Sequence, residues 1–146
     1  MVGPESERDG GVRQACRFMT AGANIQTPIF FVCLRKGYGI GSQAMAGGSF
    51  AAPMFSIAWP TGEFGAMGIE GSVELGYKKE LDAQPDVAAR QELFDKLVQK
   101  AYEAGSAINV ASLLEIDAVI DPKDTRDWIL KGLNTSASVW RGPQHL

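Results

Sequence analysis

The chain has 146 residues, enough for one domain or for part of a larger one. Apolar residues make up 45% and charged residues 21%, which is typical of a packed soluble protein and excludes a disordered one. The net charge of −3 leaves no basic surplus for a nucleic-acid backbone. A single histidine, His145, excludes a metal site with several histidine ligands and argues against Ser-His or Cys-His catalysis.

The N-terminal part of the chain predicts a loop and then an amphipathic helix. Glycine and proline within residues 1–10 indicate that the chain begins in a loop. Over Glu5–Ala23, apolar residues recur every three or four positions, as on one face of a helix that ends by Asn24. Pro28 then prevents a helix from continuing. The polar, acidic start has neither the apolar core of a secretory signal nor the arginines of a transit peptide.

A buried strand and a glycine-rich turn follow. Ile29–Leu34 consists of consecutive apolar residues rich in β-branched and aromatic types, so both faces should be buried, as in a parallel or mixed sheet covered by helices. Arg35–Gln43 is predicted to be a glycine-dense turn, and Ala44–Ala46 is predicted to open a short helix. Phe55–Trp59 and Ala66–Gly68 predict two further short strands.

The second half is predicted to be mostly helical. Asp86–Ala104 has the clearest amphipathic pattern, and Gly105 ends it. Asp121, with Pro122 after it, predicts the capped start of a helix that runs to Gly132. The other predicted elements are a helix over Ile69–Glu80, a further helical turn over Ile108–Ile116 and a strand over Ala118–Ile120. Because strand–turn–helix units recur along the chain, the predicted fold class is α/β.

Cysteine usage and charge distribution indicate a compartment. Cys16 and Cys33 both lie in apolar surroundings and are interpreted as buried free thiols in a reducing environment, so the expected location is the cytoplasm. Over Phe18–Gly62 the only charged residues are Arg35 and Lys36. Glycine and proline interrupt this stretch too often for a membrane-spanning helix, so we expect short core elements there.

The glycine-rich turn is the strongest candidate for chemistry. Its segment Gly37–Gly41 joins a strand to a helix, and the first backbone N–H groups of a helix have no partner within it. Glycine lets a ligand approach the backbone, so such amides can stabilise an oxygen that gains negative charge, helped by the positive end of the helix dipole. No Asp, Glu, His, Lys or Arg lies between Lys36 and Glu63, which suits a site built from backbone amides. The alternative is that these glycines only allow tight packing of helix against sheet.

Two other patterns in this region have competing interpretations. Gly39–Ala44 fits the G-x-G-x-x-A pattern of dinucleotide-binding proteins, and Glu63 follows at a suitable distance. The residues that separate the strand from the first glycine of this pattern disfavour that interpretation. Arg35 and Lys36 are either a solvated strand end or a cationic pair that faces a phosphate or a carboxylate.

The acidic residues near the C-terminal helix do not predict a metal site. Their spacing matches neither a calcium loop nor a facial triad, and helix capping explains them; they are Asp117, Asp121, Asp124 and Asp127. The segment Trp59–Glu63 is interpreted as a packed corner close to the glycine-rich turn.

Four motifs occur in a recognisable order: Arg35–Gly41 (RKGYGIG), Ala58–Glu63 (AWPTGE), Met67–Glu74 (MGIEGSVE) and Ile120–Arg126 (IDPKDTR). Together they resemble the carboxyltransferase (β) subunit of biotin-dependent acyl-CoA carboxylases, such as propionyl-CoA carboxylase, and Val2–Glu5 also resembles that family. The resemblance covers nearly the whole chain and the last part of such a subunit. It implies that residues 1–146 are part of the carboxyltransferase C-terminal domain, without the N-terminal domain and the first units of the C-terminal one.

The resemblance implies a crotonase-like fold, a spiral of ββα units, incomplete at its N-terminal side. It implies transfer of a carboxyl group from carboxybiotin, carried on a partner domain, to the α-carbon of an acyl-CoA of the propionyl-CoA or acetyl-CoA class. In this family the biotin urea group takes the α-proton, and an oxyanion hole holds the urea oxygen as it gains charge. That hole corresponds here to the amides of Ile40 and Gly41, the expected catalytic groups. The expected substrate-binding positions are Gly37, Tyr38, Gly39, Ser42 and Gln43, of which Gln43 corresponds to a position that tunes acyl-chain choice.

The chain departs from the family pattern at two of these positions. A glycine followed by an alanine is usual where this chain has Ile40 and Gly41, and an aspartate is frequent where it has Gln43. Backbone N–H groups survive the first change, but the isoleucine side chain needs room and a negative φ. The second change leaves the choice of substrate open.

The resemblance also implies partners. These are the acyl-CoA, a biotin carboxylase or biotin carrier subunit, and either further copies of the chain or an N-terminal carboxyltransferase half; nucleic acid, a membrane and a bound metal are not expected. A sheet that lacks its first strands exposes apolar surface and open edges, so activity is expected only with the missing part present. The alternative function is a non-catalytic assembly or regulatory fragment derived from a carboxyltransferase subunit, in which Asp86–Ala104 and the sheet edge bind a partner.

Overall fold

The structure, a computed structural model, describes residues 3–139. In this part of the chain eight α-helices and five strands follow one another, and a turn of 3-10 helix, Pro122–Asp124, precedes the last helix. The elements are α1 (Gly3–Arg8), α2 (Gly11–Asn24), β1 (Phe30–Cys33), β2 (Lys36–Tyr38), α3 (Gly39–Met45), β3 (Phe55–Ala58), β4 (Glu63–Gly65), α4 (Ile69–Gly76), α5 (Lys78–Asp82), α6 (Val87–Ala104), α7 (Ala107–Ser112), β5 (Ala118–Val119) and α8 (Thr125–Val139).

The strands form two small parallel sheets. The first has three strands in the order β1-β3-β5, with Phe30 opposite Phe55 and Ile57 opposite Ala118. The second pairs β2 with β4. Parallel strands need crossover connections, and α3 and the α4–α7 segment lie in the connections between successive strands of the first sheet. The α/β class predicted from the sequence is therefore confirmed.

Helices cover both faces of the three-stranded sheet, as the unbroken apolar run of β1 predicts. Side chains alternate along a strand, so Phe31 and Cys33 face one hydrophobic cluster, and Phe30 and Val32 face the other. On the first face the buried partners are Ile116 and residues of β3, β4 and α7. On the second they are Ile120 and residues of β3, against which partly buried side chains of α8 pack. Ile57 at the centre of β3 is completely buried.

The N-terminal prediction needs two corrections. Residues 3–8 form helix α1 rather than a loop, and the predicted single helix is two helices separated at Gly10. Gly10 has φ of +84°, a left-handed conformation that stops α1 and starts α2 in a new direction. The mistake has a physical cause, since an apolar repeat of three and four positions continues across a break of a single residue.

The predicted turn over Arg35–Gln43 contains a strand and most of a helix. Lys36–Tyr38 pairs with Glu63–Gly65. The strand that the sequence predicts over Ala66–Gly68 therefore corresponds to β4, which begins three positions earlier. The helix begins at Gly39 rather than at Ala44. Strands β2 and β4 have only three residues each, which is too short for a recognisable alternation of apolar and polar residues in the sequence. The strand that each one pairs with is also far away in the sequence.

The second half follows the prediction closely except at its end. Asp86 accepts a hydrogen bond from the N–H of Ala89 at 2.8 Å and caps α6, and Asp121 accepts one from Lys123 at 3.0 Å. The predicted helix over Ile69–Glu80 is present as α4 and α5, interrupted at Tyr77. The last helix does not end at Gly132 but continues to Val139.

The two cysteines differ in exposure. Cys33 is buried as predicted, whereas Cys16 is exposed on α2, so its assignment as a buried thiol was wrong. Helix α2 packs on α3, and Gly22 closely approaches Gly47, which follows the end of α3. Among the described helices none combines the length and the apolar character that a membrane crossing requires.

Candidate functional site

The glycine-rich turn leads from strand β2 directly into helix α3. Tyr38 ends the strand in an extended conformation and is the N-cap of the helix, but its side chain makes no capping hydrogen bond. Gly39 follows with φ of +63°, and a Cβ placed on it would lie 2.7 Å from the carbonyl oxygen of Ala66. Both the left-handed backbone and the close approach of another main-chain segment therefore require glycine at position 39.

The amides of Ile40 and Gly41 lie in the first turn of α3. No carbonyl inside the helix can accept from these N–H groups, and they stand at the positive end of its dipole. A Cβ on Gly41 would have no atom within 4 Å, so the space before this residue is open. Ile40 is 39% exposed and has negative φ, so its side chain fits without backbone strain.

Two hollows lie on either side of α3. One, of about 500 Å³, is lined by residues 31–38, which comprise most of β1 and all of β2, together with Gly41, Ser42 and Met45. The other, of about 480 Å³, includes Gln43 and the aromatic rings of Phe50 and Phe64. The structure thus groups all seven predicted site residues around one helix: Tyr38 and Gly41 on the first hollow, Gly39, Ile40 and Gln43 on the second, and Gly37 and Ser42 on both.

The wall beneath the turn is tightly packed. A Cβ on Gly37 would lie 3.1 Å from the Sγ atom of Cys33 and from the ring of Phe64, so glycine allows β2 to lie against the core. Burial raises the pKa of the Cys33 thiol, and its S–H donates to the carbonyl of Arg35 at 3.6 Å. A buried thiol with a raised pKa is a packing group and not a nucleophile.

Tyr38 makes the main polar contact of the turn. Its hydroxyl donates to Oε2 of Glu63 at 2.6 Å, which joins the end of β2 to the start of β4. Burial, and then the hydrogen bond to the carboxylate, raises the pKa of Tyr38 well above its ordinary range. The sequence places Glu63 near the turn but gives no sign of this pair, because the pairing of β2 with β4 is needed to bring the two side chains together.

A second pair of the same kind lies nearby. The hydroxyl of Tyr102 on α6 donates to Oε1 of Glu70 on α4 at 2.7 Å. This hydrogen bond lowers the pKa of Glu70 and raises that of Tyr102. Arg35 and Lys36 are both exposed, as either interpretation of this cationic pair requires.

Two of the acidic residues near the last helix accept hydrogen bonds from backbone N–H groups. Asp117 accepts a hydrogen bond from the N–H of Ser56 at 2.7 Å, and Asp121 caps the 3-10 turn. Within residues 3–139, no three His, Cys, Asp or Glu side chains form a group that could hold a metal ion. The corner at Trp59 is packed, and its ring N–H donates to the hydroxyl of Thr125 at 3.0 Å.

Comparison with known proteins decides the family. Residues 1–144 match the family described as the carboxyl transferase domain. The chain belongs to this family. It is 32% identical over 134 residues to the carboxyltransferase subunit of propionyl-CoA carboxylase from Haloferax mediterranei, a match that covers 91% of the chain and 25% of that subunit. It is 31% identical over 142 residues to the methylmalonyl-CoA carboxyltransferase 12S subunit from Propionibacterium freudenreichii, covering 94% of the chain and 26% of the relative.

Solved structures of carboxyl transferase domains share the fold. A single-chain, multi-domain long-chain acyl-CoA carboxylase is 50% identical, with a TM-score of 0.75 over 90% of this chain and 12% of that one. The transcarboxylase 12S structure, described as a hexamer, is 26% identical, with a TM-score of 0.80 over 100% of this chain and 28% of that one. The expected crotonase-like α/β fold is therefore confirmed. The chain spans about a quarter of the length of the curated relatives that it matches.

Proposed function

We propose that this chain forms the biotin-side portion of an acyl-CoA carboxyltransferase and corresponds to part of the C-terminal domain of such a subunit. The reaction is transfer of a carboxyl group from carboxybiotin to the α-carbon of an acyl-CoA of the propionyl-CoA or acetyl-CoA class. The observation that carries the proposal is the turn at Gly39, which starts α3 so that the N–H groups of Ile40 and Gly41 have no acceptor inside the helix, with open space beside Gly41. The carboxyltransferase activities named for the relatives give the chemistry.

The residues of the turn suit the urea group of biotin. A urea carbonyl is a neutral hydrogen-bond acceptor. The N–H groups of Ile40 and Gly41, which have no acceptor inside α3, are donors. The missing side chain at Gly41 leaves room for a ring to approach the backbone, and the hollow beside Gly41 and Ser42 is lined mainly by uncharged residues. Bound carboxybiotin would supply both the carboxyl group and the base.

The contribution of this chain is electrostatic. Amides that are already oriented stabilise an oxygen as it gains negative charge without having to reorganise, and loss of one such donor costs roughly 100- to 1,000-fold in kcat. The dipole of α3 acts in the same direction. A side-chain acid or base is not needed, which agrees with the segment Gly37–Gln43, whose one titratable side chain, Tyr38, is held in its protonated form by burial and by Glu63.

Choice of the acyl chain is proposed to involve Gln43. This residue lies on the second hollow with Phe50 and Phe64, on the opposite side of α3 from Gly41. An amide side chain beside aromatic rings offers a neutral polar surface where a carboxylate is frequent in the family. We expect substitution at Gln43 to change the ratio of kcat/KM between short and longer acyl-CoA substrates.

We propose that the chain acts with partners in the cytoplasm: a biotin carrier or biotin carboxylase subunit, and further copies or an N-terminal carboxyltransferase half, without which it is inactive. Exposed apolar side chains on the described surface support the proposal that another chain binds here. Leu114, at φ of +61°, is 89% exposed, and its neighbour Leu113 is 63% exposed. Contiguous apolar exposure of this kind marks surfaces that another chain covers. The same observation supports the second candidate function, a non-catalytic assembly or regulatory module.

Two measurements test the proposal. The 15N-labelled chain is titrated with biotin, and with pentanoate as the control, because pentanoate has the side chain of biotin but lacks its urea ring. The amide signals of Ile40 and Gly41 should shift with biotin and not with pentanoate. The chain is then combined with a carboxyltransferase N-terminal half, carboxylated biotin carrier and propionyl-CoA, and carboxyl transfer should appear. No shift with biotin and no transfer would reject the catalytic function. A stable complex without turnover would favour the assembly module.

A further inference from the structure

The side chain of Tyr38 connects the candidate site to a neighbouring strand. Tyr38 is the last residue of β2 and the N-cap of α3, so it immediately precedes Gly39–Gly41. Its ring lies over Gly65 of β4, where a Cβ would be 3.7 Å from the ring atom Cδ1. Its hydroxyl reaches Glu63 at the other end of β4, at 2.6 Å. Tyr38 therefore contacts both ends of β4 while its backbone starts the helix.

Glu63 is itself firmly held. Its N–H donates to the carbonyl of Arg35 at 2.5 Å, it pairs in register with Lys36, and it forms an antiparallel bridge with Ser106 at the start of α7. The carboxylate thus stands on a segment that is bonded on two sides. The hydrogen bond from Tyr38 to this carboxylate therefore links the turn to a paired strand and not to another loop.

The main chain alone constrains the turn weakly. Sheet β2-β4 has only two strands of three residues each, and such short ladders are marginal by themselves. Glycine has a wide choice of backbone conformations, so the left-handed φ of Gly39 is not fixed by that residue itself. A further restraint next to Gly39 is needed if two amides are to point at one atom.

We propose that the pair Tyr38–Glu63 is a positioning clamp that fixes the conformation of Gly39–Gly41 and so the direction of the Ile40 and Gly41 amides. Neither side chain acts as an acid, a base or a ligand group in this role. The clamp is a property of the turn, and its consequence for biotin rests on the proposed carboxyltransferase function. The raised pKa of Tyr38 agrees with it, because the phenol keeps the proton that the hydrogen bond requires.

The test compares Tyr38→Phe with a matched control, Tyr102→Phe. Both variants remove a phenol that donates to a glutamate, but Tyr102 joins α6 to α4 and does not precede the turn. The 15N order parameters of the Ile40 and Gly41 amides are measured by NMR on the whole 146-residue chain, because they report how firmly each N–H direction is held. In Tyr38→Phe, the order parameters of these two amides should fall from about 0.85 to below about 0.6, because the hydrogen bond next to the turn is lost. In Tyr102→Phe they should keep their original values.

Two variants of the partner separate a clamp from a general loss of structure. Glu63→Gln keeps an oxygen that can accept from the phenol and should retain order parameters close to the original values, whereas Glu63→Ala should behave like Tyr38→Phe. The double variant Tyr38→Phe/Glu63→Ala should be no worse than either single variant, because both remove the same contact. Additive effects, or original order parameters in Tyr38→Phe, would overturn the clamp. If Tyr38→Phe fails to fold, the comparison of Glu63→Gln with Glu63→Ala decides in the same way.

Biotin binding distinguishes failure of the clamp from failure of the function. If biotin shifts the Ile40 and Gly41 signals of the original chain, its affinity should fall severalfold in Tyr38→Phe and remain unchanged in Tyr102→Phe. Equal affinity in Tyr38→Phe would overturn the clamp and leave the function standing. If the original chain neither responds to biotin nor transfers a carboxyl group with its partners, the proposed function fails, and the order parameters still decide whether the clamp exists.

Discussion

Replacement of Gly39 by alanine tests the turn on which the candidate site depends. At φ of +63° an L-residue other than glycine is strained, by roughly 1–2 kcal/mol. The new Cβ would also lie 2.7 Å from the carbonyl oxygen of Ala66, a main-chain atom that cannot rotate away. Overpacking of this kind costs roughly 1–3 kcal/mol, so the free energy of unfolding should fall by about 2–5 kcal/mol in total.

The loss is large enough to measure by thermal unfolding. For a chain of this size, 1 kcal/mol moves the midpoint by roughly 2–4 °C, so Gly39→Ala should unfold about 10 °C below the original chain. The matched control is Gly76→Ala in α4, where a Cβ would have no atom within 4 Å. This control should be neutral or more stable by up to about 1 kcal/mol, because alanine favours helix.

Gly39→Ala should change the structure of the candidate site as well as the stability of the chain. At a temperature where Gly39→Ala is still folded, the amide signals of Ile40 and Gly41 should move from their original positions even without ligand, and their response to biotin should disappear. Equal unfolding midpoints for Gly39→Ala and the original chain would refute the reasoning. Such a result would mean that the backbone at position 39 has neither the left-handed conformation nor the close contact with Ala66.

Three further predictions concern stability. Gly132→Ala should lower the free energy of unfolding by about 1–3 kcal/mol, because its Cβ would lie 2.6 Å from the ring of Phe30, which is stacked on Phe55. Asp86→Ala should cost about 1 kcal/mol in urea unfolding, because it removes the side-chain cap of α6. The pKa of Tyr38 is raised in the folded state by burial and by Glu63, so its contribution to stability should be constant below about pH 10 and decline above it, as the unfolded chain loses the phenol proton first.

Each of these predictions has a control. Gly71→Ala in α4, where the nearest atom to a Cβ is the methyl carbon of Met67 at 3.6 Å, should not destabilise the chain. Asp86→Asn should keep most of the cap, since asparagine is as good at this position. For the pH dependence, urea unfolding of Tyr38→Phe removes the contribution of this one phenol. If the difference in stability between the two chains is the same at about pH 8 and about pH 10.5, the expected decline at high pH is wrong.

Several elements could be predicted from the sequence because their signals are local. The unbroken apolar run of β1 predicted a strand buried on both faces, and it lies in a parallel sheet with a hydrophobic cluster on each side. The cap at Asp86 and the apolar stripe after it predicted α6 almost to the residue. The passage from strand to helix through glycines was also predicted, although β2 and most of α3 lie where the sequence predicts a turn.

Other features depend on residues that are distant in sequence, and only the folded chain brings them together. Strand β2 exists because β4 pairs with it, and the contact between Tyr38 and Glu63 spans 25 positions. Gly132 was predicted to end a helix because glycine does so locally, but the rings of Phe30 and Phe55 explain it as the point where α8 touches the sheet. Local patterns report the hydrogen bonds and periodicity of a few neighbouring residues. The sequence by itself therefore determined that a glycine-rich strand end leads into a helix, whereas the pairing of strands far apart in the chain decided which residues pack against this turn.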